Sequence, residues 1–378
     1  MKRVLLLSTS YPTGLPGAEA AGGFVADFAT ALARQVEVVV MAPATRPLSS
    51  VQGGVRLEAF GVPRAPLSLL RPGNPRDWPA ILSTLRAGSE TVSRLAAEGR
   101  FDHVLALWAL PSGYWARAMA ARHGIPYSTW ALGSDIWTLA RVPGVRHVLK
   151  RVLAGAALRF ADGYGLCREV QALCGRDCTF LSSARRLTPP PAEPPRPHPP
   201  FRFAFLGRWH PNKGIDLLLD ALGLLPEAAW QRIEQIRIHG GGPLDEMVRN
   251  RVKGLVAQGR PLDLGGYLDK AEAVRLLQWA DYVLIPSRIE SIPVIFSDAM
   301  QVGRPVISTP AGDLPEIVRR FRCGEMADRC DAPAFSLALE NILSRSPEAF
   351  SEGVRAAAEA FRIEPSVRRF LTLAALAE

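Results

Sequence analysis

Short, unbroken apolar runs recur along the chain. Each ends in a glycine-bearing loop and is followed by a segment that is apolar on one face only. Residues 2–7 predict a buried strand, and Gly22-Gly23 opens a helix with Phe24, Phe28, Ala31 and Leu32 on one side. Residues 36–40, 101–107 and 126–132 predict further buried strands; a helix runs from Pro111-Ser112-Gly113 to about His123. The second half restarts the pattern. Strands are predicted at 201–206, 236–239, 262–264 and 282–285, with helices at 214–222, up to about 257, and at 271–279. Fully apolar strands alternating with amphipathic helices are the mark of parallel sheets covered on both faces. The fold class is therefore α/β, doubly wound, with ligands expected at the carboxyl ends of the strands.

Between the halves, residues 188–200 read TPPPAEPPRPHPP. More than half proline, this run forms neither helix nor central strand and is expected to be a semi-rigid spacer. A chain of 378 residues suits two domains. They are set at 1–187 and 201–359, with a final helix at about 360–378 packing back onto the first. The proline- and arginine-rich stretch 46–79 is expected to be a loop.

Composition narrows the setting. No apolar run approaches membrane-span length, which leads to the expectation of a cytoplasmic protein, with peripheral contact at the inner face of a membrane. Five cysteines without metal-ligand spacing are expected to be reduced, and the histidines form no metal pattern. The net charge of +9 is uneven. Residues 1–183 carry eight more cationic than acidic side chains, whereas 201–378 carry one fewer. An amphipathic basic helix is predicted at 145–160, where Arg146, Lys150 and Arg151 oppose Val148, Leu149, Val152 and Leu153. It could lie on anionic lipid, or pack its apolar side on the sheet and leave its charges in water. No nucleic acid is expected as a partner.

Candidate chemistry gathers around residues 287–318. Glu290 precedes Pro293, which suits the first turn of a helix over 294–301, and Asp298 follows on that helix. A helix N-terminus beside a carboxylate suits a ligand that is anionic at one end and hydroxylated at the other, such as a nucleotide sugar. Arg208 and Lys213 flank one strand-to-helix loop that lacks the Walker spacing. Two such cations can neutralise a diphosphate, or simply stand in solvent. Asp298 could equally be an ordinary surface acid. Asp135, after the strand at 126–132, could face a ligand or cap the helix beginning near Ile136.

The segments FLGRWHPNKGIDLLLDAL, IHGGGPLDEMV, LGGYLDKAEAVRLLQWADYVLIPSRIES and the 287–318 stretch, in that order, resemble the donor half of the GT4 family of retaining glycosyltransferases. The first half matches more loosely, through Gly22-Gly23, WALPSGYWA and LGSD. The resemblance implies the GT-B fold, two Rossmann-like domains facing a cleft, and transfer of a sugar from a UDP- or GDP-linked donor. The acceptor would be a sugar or lipid-linked hydroxyl in glycolipid, polysaccharide or other glycoconjugate synthesis. No cofactor or metal is implied.

Residue by residue, the resemblance gives Arg208 and Lys213, preceded by Gly207, the donor diphosphate, and gives Glu290 the donor sugar. Asp298 takes the ribose-binding place. The backbone of Ser291, Ile292, Pro293 and Val294 approaches sugar and phosphate, and Gly266, Tyr267 and Leu268 border the base. Gly23 and Asp135 join from the first domain. Two positions depart from the family pattern. Asp298 is one methylene shorter than the usual glutamate, and Leu132 stands where many members have histidine. The alternative expectation is a catalytically weak GT-B scaffold that binds nucleotide sugar.

Overall fold

The computed structural model describes residues 1–13, 22–64, 67, 70–189 and 193–377. The expected spacer, and the expected loop at 46–79, lie partly outside these. The chain divides into two compact units, Met1–Arg186 with Ile363–Glu378, and Leu187–Arg362.

In the first unit the strands are β1 (Arg3–Leu7), β2 (Glu37–Ala44), β3 (Leu48–Gln52), β4 (Val55–Gly61), β5 (His103–Leu107), β6 (Tyr127–Ala131), β7 (Leu158–Ala161) and β8 (Thr179–Phe180). Among the described residues they form one sheet in the order β3-β4-β2-β1-β5-β6-β7-β8. All neighbours pair in parallel except β3 with β4. Alternate residues of β1 serve opposite cores: Leu5 and Leu7 on one face, Val4 and Leu6 on the other. That explains why the strand reads as an unbroken apolar run. The helix Ile363–Leu373 packs in the second of these cores, with Phe370 edge-on to Phe28 at 6.1 Å and Ser366 donating to the Ser182 carbonyl.

Two expectations are corrected here. Part of the segment read as a loop, 46–79, folds as the hairpin β3–β4, turned at Gly53 and Gly54, which both have positive φ. Arginine and proline in the window masked the alternating pattern, although a Gly-Gly pair between two strand-like runs is a hairpin signal. The basic helix runs over Pro143–Gly155 and stops there, giving way to β7. Ala156 adopts an extended conformation, so Leu158 and Phe160 belong to the sheet. On the helix, Leu149, Val152 and Leu153 are buried while Arg146, Lys150 and Arg151 are exposed.

The second unit contains β9 (Phe201–Arg208), β10 (Ile233–Gly241), β11 (Leu262–Gly265), β12 (Tyr282–Ile285), β13 (Val306–Ser308) and β14 (Gly324–Met326). They form a parallel sheet in the order β11-β10-β9-β12-β13-β14. The order reverses direction at β9, the kind of switch point where open α/β sheets bind ligands. The described end of the proline-rich run is docked on this unit. The Arg196 amide donates to Asp281 at 2.7 Å, and the Arg304 guanidinium donates to the Glu193 carbonyl at 2.9 Å.

Candidate active site

The carboxyl edge of the second sheet collects most of the residues singled out above. β9 ends at Arg208, whose side chain is exposed. A short 3-10 turn, Pro211–Lys213, then leads through Gly214 into the helix Ile215–Gly223. Gly214 has φ +67°, and a Cβ there would overlap the Pro286 carbonyl oxygen. Only glycine lets the Lys213 loop lie this close to the end of β12.

Beyond β12, residues 287–293 lead into the helix Val294–Gln301, with Pro293 as its N-cap. Lys213 Nζ donates to Glu290 Oε1, joining side chains 77 positions apart. The backbones join as well: the Arg288 amide donates to the Asn212 carbonyl at 2.8 Å. Two helix N-termini, a cation and a carboxylate thus share one corner. Ser291, Ile292 and Pro293 are buried, and Val294 is partly so. Gly312 presses on this loop from behind: a Cβ there would overlap the carbonyl oxygens of Glu290 and Ser291, and the Asp313 amide donates to Ser291 at 3.1 Å. The sequence reading missed Gly214 and Gly312. Glycine directly before a helix and an Ala-Gly-Asp turn are the signals that could have found them.

The corner is electropositive. His210 lies below its ordinary pKa because it is partly buried and because Arg208 and Lys213 both repel a proton from it. An anion would meet the same field with the opposite sign. Tyr267 belongs to the same edge. Arg208 pairs with Gly241 across the ladder, Gly207 with Gly240, and the Tyr267 hydroxyl donates to the Gly241 carbonyl at 2.8 Å. Its ring is 58% exposed beside exposed Gly266 and half-buried Leu268.

Two expected contacts are not available as expected. Asp298 has no exposed surface, so it is not a surface acid, and none of its carboxylate faces solvent where a ribose would approach. Its partners lie within the protein. Asp135, in the first unit, is 1% exposed. Its oxygens accept the Ala109 amide at 2.6 Å and the Leu132 amide at 3.2 Å, tying the ends of β5 and β6 together. That tie helps hold Trp108 at φ +61°, an uncommon conformation for a bulky residue. Leu132, like Phe24 and Trp108, packs against the buried core on this face of the first sheet. Gly23 begins its helix at the end of β1, but it is Gly22, at φ +61°, whose Cβ would overlap the Ser10 carbonyl.

Burial pushes the Asp135 carboxyl up to about 6, and the backbone amides that favour its charged form only partly offset this. In the unfolded chain the group titrates near about 3.9, so between these values the folded chain binds more protons. The stability it lends is fully present below about pH 4 and is lost as pH rises through about 6. Wild type should therefore lose about 2–3 kcal/mol relative to Asp135→Asn between about pH 4 and pH 7. Denaturant unfolding of both proteins at the two pH values measures this; equal losses would refute it.

Among the described residues no three His, Cys, Asp or Glu side chains gather as a metal site, and none of the five cysteines is in a disulfide. No described helix is long and apolar enough to cross a membrane.

A parallel α/β unit with a cationic corner at its switch point falls in the class of open α/β folds that bind ligands at the carboxyl ends of their strands. Comparison with known proteins narrows the class. Residues 200–345 match the family described as Glycosyl transferases group 1. D-inositol 3-phosphate glycosyltransferase of Mycobacterium sp. (strain KMS) is 30% identical over 159 residues, which are 38% of this chain and 32% of that protein. The amylovoran biosynthesis glycosyltransferase AmsK of Erwinia amylovora is 30% identical over 151 residues, 38% of this chain and 36% of the relative. The chain spans about a third of the length of the curated relatives it matches. Similarity of fold extends much further. Sucrose-phosphate synthase from Thermosynechococcus elongatus superimposes with a TM-score of 0.77 at 20% identity, covering 99% of this chain and 98% of that one. Anabaena HepE in complex with UDP and glucose gives 0.72 at 15% identity over the whole of both chains. The chain has the GT-B fold.

Proposed function

We propose that this protein is a retaining glycosyltransferase that moves a sugar from a UDP- or GDP-linked donor to an acceptor hydroxyl in glycoconjugate or polysaccharide synthesis. The observation that carries the reading is the Lys213–Glu290 pair, held between two helix N-termini at the switch point of a group 1 unit. A donor diphosphate would take Lys213 from Glu290 and add Arg208 as a second counter-charge. Both cations act most strongly as negative charge grows on the leaving phosphate, which makes them transition-state stabilisers. As the anomeric carbon–oxygen bond breaks, the acceptor oxygen attacks the same face. Its proton passes to the departing phosphate oxygen, and Glu290 stands against the positive charge that develops on the sugar.

The amylovoran and colanic acid glycosyltransferases among the relatives support a polymer or lipid-linked acceptor. The exposed Arg146, Lys150 and Arg151 suit an acceptor carried on an anionic membrane surface at the cytoplasmic side.

The nucleotide is tested by thermal unfolding with UDP, GDP and ADP. A ligand at about a hundred times its Kd raises stability by about 2.7 kcal/mol. One of UDP or GDP should shift the melt, and the matching nucleotide sugar should slowly release free sugar without acceptor. A shift without any release favours the binding scaffold, and no shift with any nucleotide removes the reading.

A further inference from the structure

Arg288 has no role in the chemistry above, yet its side chain joins the two loops that carry it. Its guanidinium grips Asp216 with both arms, at 2.7 and 2.8 Å, and donates to the Pro211 carbonyl at 2.9 Å. Asp216 is in the first turn of the helix that follows Lys213; Arg288 is two residues before Glu290. The fork therefore joins the same two loops, that of Lys213 and that of Glu290, which the Lys213–Glu290 contact also joins. Each partner favours the charged form of the other. Hydrogen bonding to Asp216 raises the Arg288 pKa, and Arg288 holds the Asp216 carboxyl low against the effect of its burial.

We propose that Arg288 is a positioning residue. Its forked bond to Asp216 fixes the spacing of the two loops, so that Lys213 can exchange Glu290 for a diphosphate while Glu290 stays at the reacting sugar. Three features carry this. Three of the guanidinium's five N–H donors are committed to Asp216 and Pro211, which anchors it in the seam between the loops. The two arms define direction as well as distance, which a lysine point charge does not. Finally, the backbone bond from Arg288 to Asn212 lies in the same seam, so side-chain exchange at Lys213 need not open it.

The inference rests on the proposed transferase reading, and the test separates the two. Wild type, Arg288→Lys, Arg288→Ala, Asp216→Glu and the double variant Arg288→Lys/Asp216→Glu are compared in UDP- and GDP-dependent thermal shifts and in acceptor-free hydrolysis of the matching nucleotide sugars. Loss of about an ångström of placement lowers kcat by about a hundredfold. Arg288→Lys should show a fall of that order with donor KM changed less than about threefold, and with a nucleotide-free melt close to wild type. The double variant, in which the longer acid meets the lysine, should recover about tenfold of the loss.

Hydrolysis by Arg288→Lys at the wild-type rate overturns the positioning role. So does a rate that falls only in proportion to the folded fraction, or a KM effect without a kcat effect. If Arg288→Ala does not fold, the lysine and glutamate variants carry the comparison. Wild type without any nucleotide shift would overturn the transferase reading, and this inference with it.

Discussion

Replacing both Arg208 and Lys213 by alanine should lower sugar transfer and donor hydrolysis by about a thousandfold or more, because a single preorganised charge donor is already worth about a hundred- to a thousandfold. The chain should still fold. Arg208 is an exposed residue at a strand end, and Lys213 is a half-exposed one on a surface turn. Neither contributes apolar packing to a core. The loss should also appear in binding, since the nucleotide-dependent melt shift needs the same cations. The field that acts on His210 comes from these two side chains, so the imidazole should return toward its ordinary titration in the double variant. Proton NMR of His210 thus reads the removal of the cationic corner without any substrate. Transfer within tenfold of wild type would exclude the diphosphate role.

Glu290→Gln should produce two effects of opposite sign. Lys213 donates to Glu290 in the structure, and on the proposed reading a diphosphate would compete with Glu290 for it. Glutamine withdraws the internal counter-charge while keeping the shape, so free UDP or GDP should bind about three- to tenfold more tightly, the worth of one partly exposed ion pair. Sugar transfer should fall by about a hundred- to a thousandfold, because no carboxylate then opposes the charge developing on the sugar. Calorimetric titration with the nucleoside diphosphate, beside turnover of the nucleotide sugar, measures both. If binding weakens in step with turnover, Glu290 is a ligand of the nucleotide and not a competitor for its lysine. An ordinary core defect would weaken both and lower the melt.

These two expectations start from residues visible in the chain, but their relation was not. Arg208, Lys213 and Glu290 could be named because strand-loop-helix spacing placed each at a strand's carboxyl end. That Lys213 meets Glu290 depends on β9 and β12 being neighbours, a long-range pairing that local pattern does not encode. For the same reason nothing in the local pattern singled out Arg288 and Asp216. Asp135 is the clearest case of a residue whose surroundings the sequence left open. A carboxylate after a buried strand has the same sequence signature whether it faces a crevice or accepts two backbone amides at 1% exposure. Asp298 went the same way, since helical periodicity gives a direction but not what covers it. The hairpin β3–β4 was hidden because its edge strand, β3, buries little and so writes a weak alternation.

By itself, then, the sequence determined what depends on near neighbours. It settled the doubly wound α/β class, the parallel strands read from unbroken apolar runs, the helix starts at Gly23 and Val294, and the cationic loop after β9. Tertiary structure alone decided which charges are paired, which carboxylates are sealed from water, and which glycines are irreplaceable. Those properties arise where segments far apart in the chain exclude solvent from one another. A carboxylate's chemistry is set by that exclusion and by the partners it brings within reach.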